Sequence, residues 1–233
     1  MSTFWRRVRL CVMLMLLGGG CNPLWMPFVF QNDEPTIKAE MYRLYDPEKK
    51  NQKEVRVVIL TDTGPVETRA EFLHADKEIA RLLALHLQKQ CQQNKEKVAV
   101  INPLKVEEFK NSHPDWNEEH LDLEALGKQF KADYVIYIEA SDLTLYQPNT
   151  ANQFYQGRAN LTVKLLRVSK PDDFNVEQRV ETFSYPPESQ GGNILADADM
   201  TPQAFRLKFF NAMARHLTGF FTDRPTRDTY LKD

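Results

Sequence analysis

The chain has 233 residues, 42% hydrophobic and 27% charged, with a formal net charge of −2. This is globular composition and suits one domain with attachments. Removing residues 1–20 takes away Arg6, Arg7 and Arg9 and no acid, so the charge falls to −5. A mildly acidic chain lacks the clustered Lys and Arg that hold phosphate backbones, which argues against nucleic-acid binding.

Met1 to Arg9 carries three arginines, Leu10 to Leu17 is apolar, and Gly18-Gly19-Gly20-Cys21 follows. A cationic start, a short apolar core and small residues at the cut are the layout of a secretory signal. The apolar run is well short of the ~20 residues that span a bilayer as a helix. Gly19-Gly20-Cys21 resembles the lipobox of bacterial lipoproteins, although Leu17 stands one place further back than the family's leucine and Gly18 occupies its position. That resemblance implies a diacylglycerol on Cys21 and membrane attachment through it; the alternative is a plain secretory signal cut nearby. Asn22 is not the aspartate that, in some bacteria, keeps lipoproteins in the inner membrane, so the resemblance points to the outer membrane, periplasm-facing. Cys11 falls in the leader and Cys21 at the lipid site, leaving Cys91. A lone thiol forms no intramolecular disulfide, and an inert, partly buried Cys91 is expected.

Residues 21–54 read as a tether. Asn22 to Phe30 is apolar and carries Trp25, which suits a membrane–water interface; an extra strand packed on the domain is the alternative. Gln31 to Glu54 is polar and charged, and reads as mostly flexible linker. The domain then occupies 55–222, with a polar tail at 223–233. Glu54 to Thr61 is β-branched and ends at Asp62-Thr63-Gly64-Pro65, a strand followed by a turn. A helix over Thr68 to Gln93 places Phe72, Ala75, Ile79, Leu82, Leu83 and Leu87 on one face. Lys97 to Asn102 is a short strand, Lys105 to Lys110 a turn of helix, and Leu121 to Lys131 a helix. Ala132 to Glu139 is apolar on both faces and belongs mid-sheet, whereas Leu143 and Leu145 alternate with polar residues.

Tyr155 to Val168 is a long strand with Ala159, Leu161, Val163 and Leu165 on one face, and Val176 to Tyr185 is another. Thr201-Pro202 starts a closing helix with Thr as cap and Pro in the first turn. Phe205, Phe209, Ala212, Met213, His216 and Phe220 share one side of it, while Phe210 and Phe221 widen the apolar surface. The fold class is α+β: a mixed, mostly antiparallel sheet of about five strands with helices packed on it, in βαβα-ββ(β)-α order.

Lys131-Ala-Asp-Tyr-Val-Ile-Tyr-Ile-Glu-Ala-Ser141, with Leu126-Gly127 before it, resembles a helix-to-strand segment of a periplasmic domain family. That family includes the amino-terminal domain of the Tol-system protein, the curli-secretion lipoprotein and the lipoprotein activator of a penicillin-binding protein. Ile138 stands where the family often has glycine, and Thr61-Asp62 replaces its proline–phenylalanine strand ending. The resemblance implies the α/β fold and an envelope location, with function exercised through surface contacts.

Catalytic patterns are few. Asp62-Thr63-Gly64 has no second copy to supply a carboxylate dyad, so it reads as a strand-ending turn. His74, His86, His113, His120 and His216 show no zinc-protease spacing, and no phosphate loop, dinucleotide fingerprint or serine elbow is present. His86 and His216 fall on apolar helix faces, where a neighbour usually satisfies the ring. Asp197 and Asp199 suit the helix start at Thr201. Neither a metal nor a cofactor is expected.

The one recognition patch the sequence offers is the hairpin tip Tyr146 to Tyr155, uncharged and expected to project. Tyr146, Phe154 and Tyr155 supply rings, and Gln147, Asn149 and Asn152 supply amides, a mixture suited to a protein partner; rings folded back on the sheet are the alternative. The expectation is a non-enzymatic lipid-anchored envelope module that docks a partner. The rival readings are a hydrolase around Asp62 and the loop before Thr201, and a subunit of an export complex.

Overall fold

The computed structural model describes residues 35–49, 52–64, 70–113, 122–168, 176–187, 194–196 and 200–226; Cys21, Trp25, His120, Asp197 and Asp199 lie outside them. Elements in chain order are β1 (Thr36–Ile37), β2 (Val55–Asp62), a 3-10 turn (Ala70–Phe72), α1 (Ala75–Gln93), β3 (Val98–Val100), α2 (Pro103–Ser112) and α3 (Leu123–Gln129). There follow β4 (Tyr134–Tyr146), β5 (Phe154–Arg167), β6 (Val176–Tyr185), β7 (Ile194–Leu195), α4 (Pro202–Thr218) and β8 (Arg224–Pro225).

The fold is α+β. Its open sheet runs β3-β2-β4-β5-β6, with β7 also on β5. β2 is parallel to β3 and β4, whereas β4-β5 and β5-β6 are antiparallel. β2 and β4 are apolar on both faces because both faces are covered. Val57, Ile59, Ile136 and Ile138 join the larger core beneath α1 and α4. Val58, Leu60, Val135 and Tyr137 join a smaller one with Val106 of α2 and Leu126 of α3. Along β5 the core face is held by Tyr155, Gly157, Ala159, Leu161, Val163 and Leu165, the period of two that a strand imposes.

Local chemistry sets several boundaries. His74 has φ 61 and precedes α1, so the helix starts there instead of at Thr68; Phe72 is buried from the 3-10 turn. Thr201 caps α4 by accepting from the Ala204 N–H, with Pro202 in its first turn. Phe210 and Phe221 are both fully buried, which accounts for the width of the helix's apolar surface. Gly157 lets Phe209 lie against the strand: a Cβ there would stand 2.3 Å from the Phe209 ring.

The stretch expected to be linker is in large part folded. β1 pairs with β8, and the N–H groups of Glu40, Met41, Tyr42 and Leu44 donate to carbonyls of Gly219, Phe220 and Phe221 at 2.9–3.1 Å. Those carbonyls follow the end of α4, where a helix leaves acceptors unsatisfied. Leu44 and Tyr45 are buried in the larger core. Residues 36–46 therefore form a strap, and Arg224 and Pro225, in the segment expected to be a polar tail, supply its partner strand.

Candidate functional site

Three clusters fasten the strap. Arg43 reaches Glu96 at 3.4 Å and Asp223 at 3.0 Å, and the Thr222 hydroxyl donates to the second Glu96 oxygen at 2.6 Å. Glu96 is almost wholly buried, so its charge requires these partners. The Tyr42 and Tyr134 hydroxyls are hydrogen-bonded at 3.2 Å, and the Arg167 guanidinium lies 4.3 Å from the Tyr42 ring centre. Glu40 pairs with Arg224 and with Arg179, which itself covers the Phe220 ring and pairs with Glu181. Glu181 also bonds His216. Burial pushes the Glu181 carboxyl up, but His216 and Arg179 outweigh it and leave its pKa below the ordinary value.

The hairpin tip is braced more than the sequence suggests. Tyr155 is 2% exposed, stacked on Phe205 at 4.5 Å and on Tyr146 at 5.2 Å. It shares strand parity with Ala159 and Leu161, so the period of two already assigned its ring to the core. Phe154 and Tyr155 pair with Leu195 and Ile194 of β7, and Ala196 N–H donates to Gln153. Tyr146, Gln147 and Phe154 are half-buried; Asn149 and Asn152 are exposed, both at positive φ, a conformation asparagine tolerates. Of the three rings, Tyr155 thus belongs to the core, Tyr146 and Phe154 keep part of their surface, and the amides of Asn149 and Asn152 are exposed on the turn.

Asp62 forms the turn expected of it, accepting from the Gly64 N–H at 2.9 Å with Gly64 at φ 66. Nearby, the buried Lys110 ammonium bonds Asp76 at 2.8 Å, Glu107 at 3.2 Å and the Thr61 carbonyl at 3.2 Å. These carboxylates neutralise a buried cation, an arrangement that fixes α1 and α2 against β2. Burial, then the Asp62 and Glu139 charges, hold the Tyr137 phenol protonated. His86 bonds Asn211 at 3.1 Å, and its pKa is lowered by burial. Cys91 is fully buried, and burial with the Glu96 charge pushes its thiol up to about 12, which removes the thiolate that reactivity needs. Among the described residues no group of three or more His, Cys, Asp or Glu could hold a metal ion, and no helix is long and apolar enough to cross a membrane.

No family model and no curated protein matches the chain significantly. Among solved structures, the PelC dodecamer of Paraburkholderia phytofirmans is similar at a TM-score of 0.39 and 8% identity, over 81% of this chain and 97% of that one. Lipoprotein GNA1162 of Neisseria meningitidis gives 0.38 and 12%, over 70% and 97%. The hypothetical protein CT253 of Chlamydia trachomatis gives 0.35 and 15%, over 72% and 98%. At these scores neither function nor partner passes from them to this chain.

Proposed function

We propose that this protein is a non-enzymatic, lipid-anchored module of the bacterial cell envelope, attached through Cys21 and facing the periplasm from the outer membrane. The leader ending in Gly19-Gly20-Cys21 supports the anchor. The observation that gives the anchor its functional meaning is the strap. With residues 36–46 fixed to the domain, fourteen residues, Asn22 to Pro35, separate Cys21 from it rather than thirty-three. At about 3.5 Å per extended residue its reach is about 50 Å, against about 115 Å for a tether ending at Glu54. The domain is therefore a membrane-proximal body, and the exposed amides Asn149 and Asn152 are its docking contacts for an envelope protein. The similarity of residues 131–141 to the Tol, curli-secretion and activator segment supports action through such contacts.

Cell fractionation with intact-mass analysis tests the anchor. The wild type is expected in membranes with a diacylglycerol-sized mass increment at Cys21, and Cys21→Ser in the soluble envelope fraction or unprocessed. A wild-type protein that is soluble with a free Cys21 thiol refutes the reading.

A further inference from the structure

Five cations collect at one end of the sheet from segments far apart in the chain. Lys53 leads into β2 and Arg56 lies in its first turn of pairing; Lys95 and Lys97 lead into β3; Lys131 leads into β4. Parallel register brings these lead-ins together, with Val55 opposite Val98 and Val57 opposite Tyr134. The four lysines are exposed and Arg56 is half-buried. Among the described residues none of the five takes part in an ion pair, although the chain carries more acid than base.

The acids at this end are largely committed elsewhere. Glu96 and Asp223 face Arg43, Glu177 faces Arg167, and Asp46 faces Lys49. Asp133 accepts the Arg56 backbone N–H, so with Glu54 it leaves a local excess of positive charge. At the carboxyl end of the same strands Asp62 is registered beside Glu139. The strap enters at the cationic end: Ala39 N–H donates to Asp223, whose carbonyl accepts from Asn94, the neighbour of Lys95.

From this juxtaposition we propose that the amino end of the parallel strands is a docking face for an anionic phospholipid surface. Lysines at such a surface lie within the roughly 8 Å over which charges act at physiological salt. Each contributes about a fivefold gain in binding. On the proposed function, attachment through Cys21 raises the effective concentration of such a surface; the electrostatic face itself does not depend on that anchor.

The test uses the mature chain with Cys21→Ser, so that no acyl chain contributes. It is sedimented with vesicles of phosphatidylglycerol and phosphatidylcholine in a ratio of about three to seven, and with phosphatidylcholine alone, at low and high salt. Binding is expected only to the anionic vesicles and is lost at high salt. Lys95→Gln with Lys97→Gln and Lys131→Gln should weaken it on the order of a hundredfold with an unchanged melting curve. Lys105→Gln with Lys208→Gln, exposed on α2 and α4, should leave it intact. Equal binding to neutral vesicles, no binding to anionic ones at low salt, or a triple variant that binds as wild type would each overturn the proposal. So would tighter binding to duplex DNA than to the anionic vesicles. Loss of the Cys21 lipid mass in cells would overturn the anchor alone.

Discussion

Replacing Leu44 with alanine separates a strap from a linker in one measurement. Leu44 is 1% exposed, sits in the larger core, and its N–H is bonded to the Phe221 carbonyl. Truncation leaves that backbone bond in place and empties a pocket closed by the body of the domain, so the transfer and cavity costs together come to about 2–5 kcal/mol. A domain of this size loses about 2–4 °C of melting temperature per kcal/mol, which predicts a fall of about 4–20 °C by circular dichroism. Lys49→Ala, on an exposed residue of the same stretch, should stay within about 0.5 kcal/mol of wild type. Limited proteolysis should cut between residues 36 and 46 faster in the Leu44 variant. A Leu44→Ala protein that melts with the wild type refutes the strap and restores the longer reach.

Gly157→Ala places a methyl group against the buried Phe209 ring, and should cost about 1–3 kcal/mol in urea unfolding; a neutral result would mean the ring has room to retreat. Leu83→Ala, fully buried on α1, should lose about 2–5 kcal/mol, while Cys91→Ser should lose less and leave a protein equally inert to thiol reagents under native conditions. The folded Glu181 carboxyl titrates below its ordinary value of 4.5, so the unfolded chain takes up that proton first. Its contribution is complete above about pH 5 and disappears as pH falls through the folded value. Glu181→Gln should therefore flatten part of the acid limb of a stability–pH curve, and an unchanged limb would place the carboxylate outside the network.

The elements that the sequence disclosed are those whose stabilising contacts repeat along the chain. β2 and β4 could be read as apolar runs, β5 from its alternation and α4 from its cap and aromatic period, because burial on one side of an element leaves a periodic trace. The strap leaves none. Only Leu44 and Tyr45 of residues 36–46 are buried, and its other fasteners are backbone bonds to the end of α4 and side-chain pairs such as Glu40–Arg224, 184 positions apart. A polar segment that folds through such distant partners has the composition of a linker. The same limit hid the cationic end, where Lys53, Lys95, Lys97 and Lys131 become neighbours only through strand register.

At the hairpin tip the two readings left open by the sequence divide by residue: Tyr155 folds back on the sheet, while Tyr146 and Phe154 are half-buried. Tyr155 falls in phase with Ala159, Leu161 and Val163, and that phase outranks the affinity of tyrosine for interfaces, because a ring on the core face of a central strand has no route to solvent. Asn149 and Asn152 are the exposed amides of the tip, both at positive φ, and are the docking contacts proposed above. Asn149→Asp with Asn152→Asp preserves that backbone preference while adding two charges, so the melting curve should not move. A crosslinked envelope partner present with wild type and lost from this variant would assign docking to the turn. A partner retained at full yield would move the search to another surface, beginning with the cationic end.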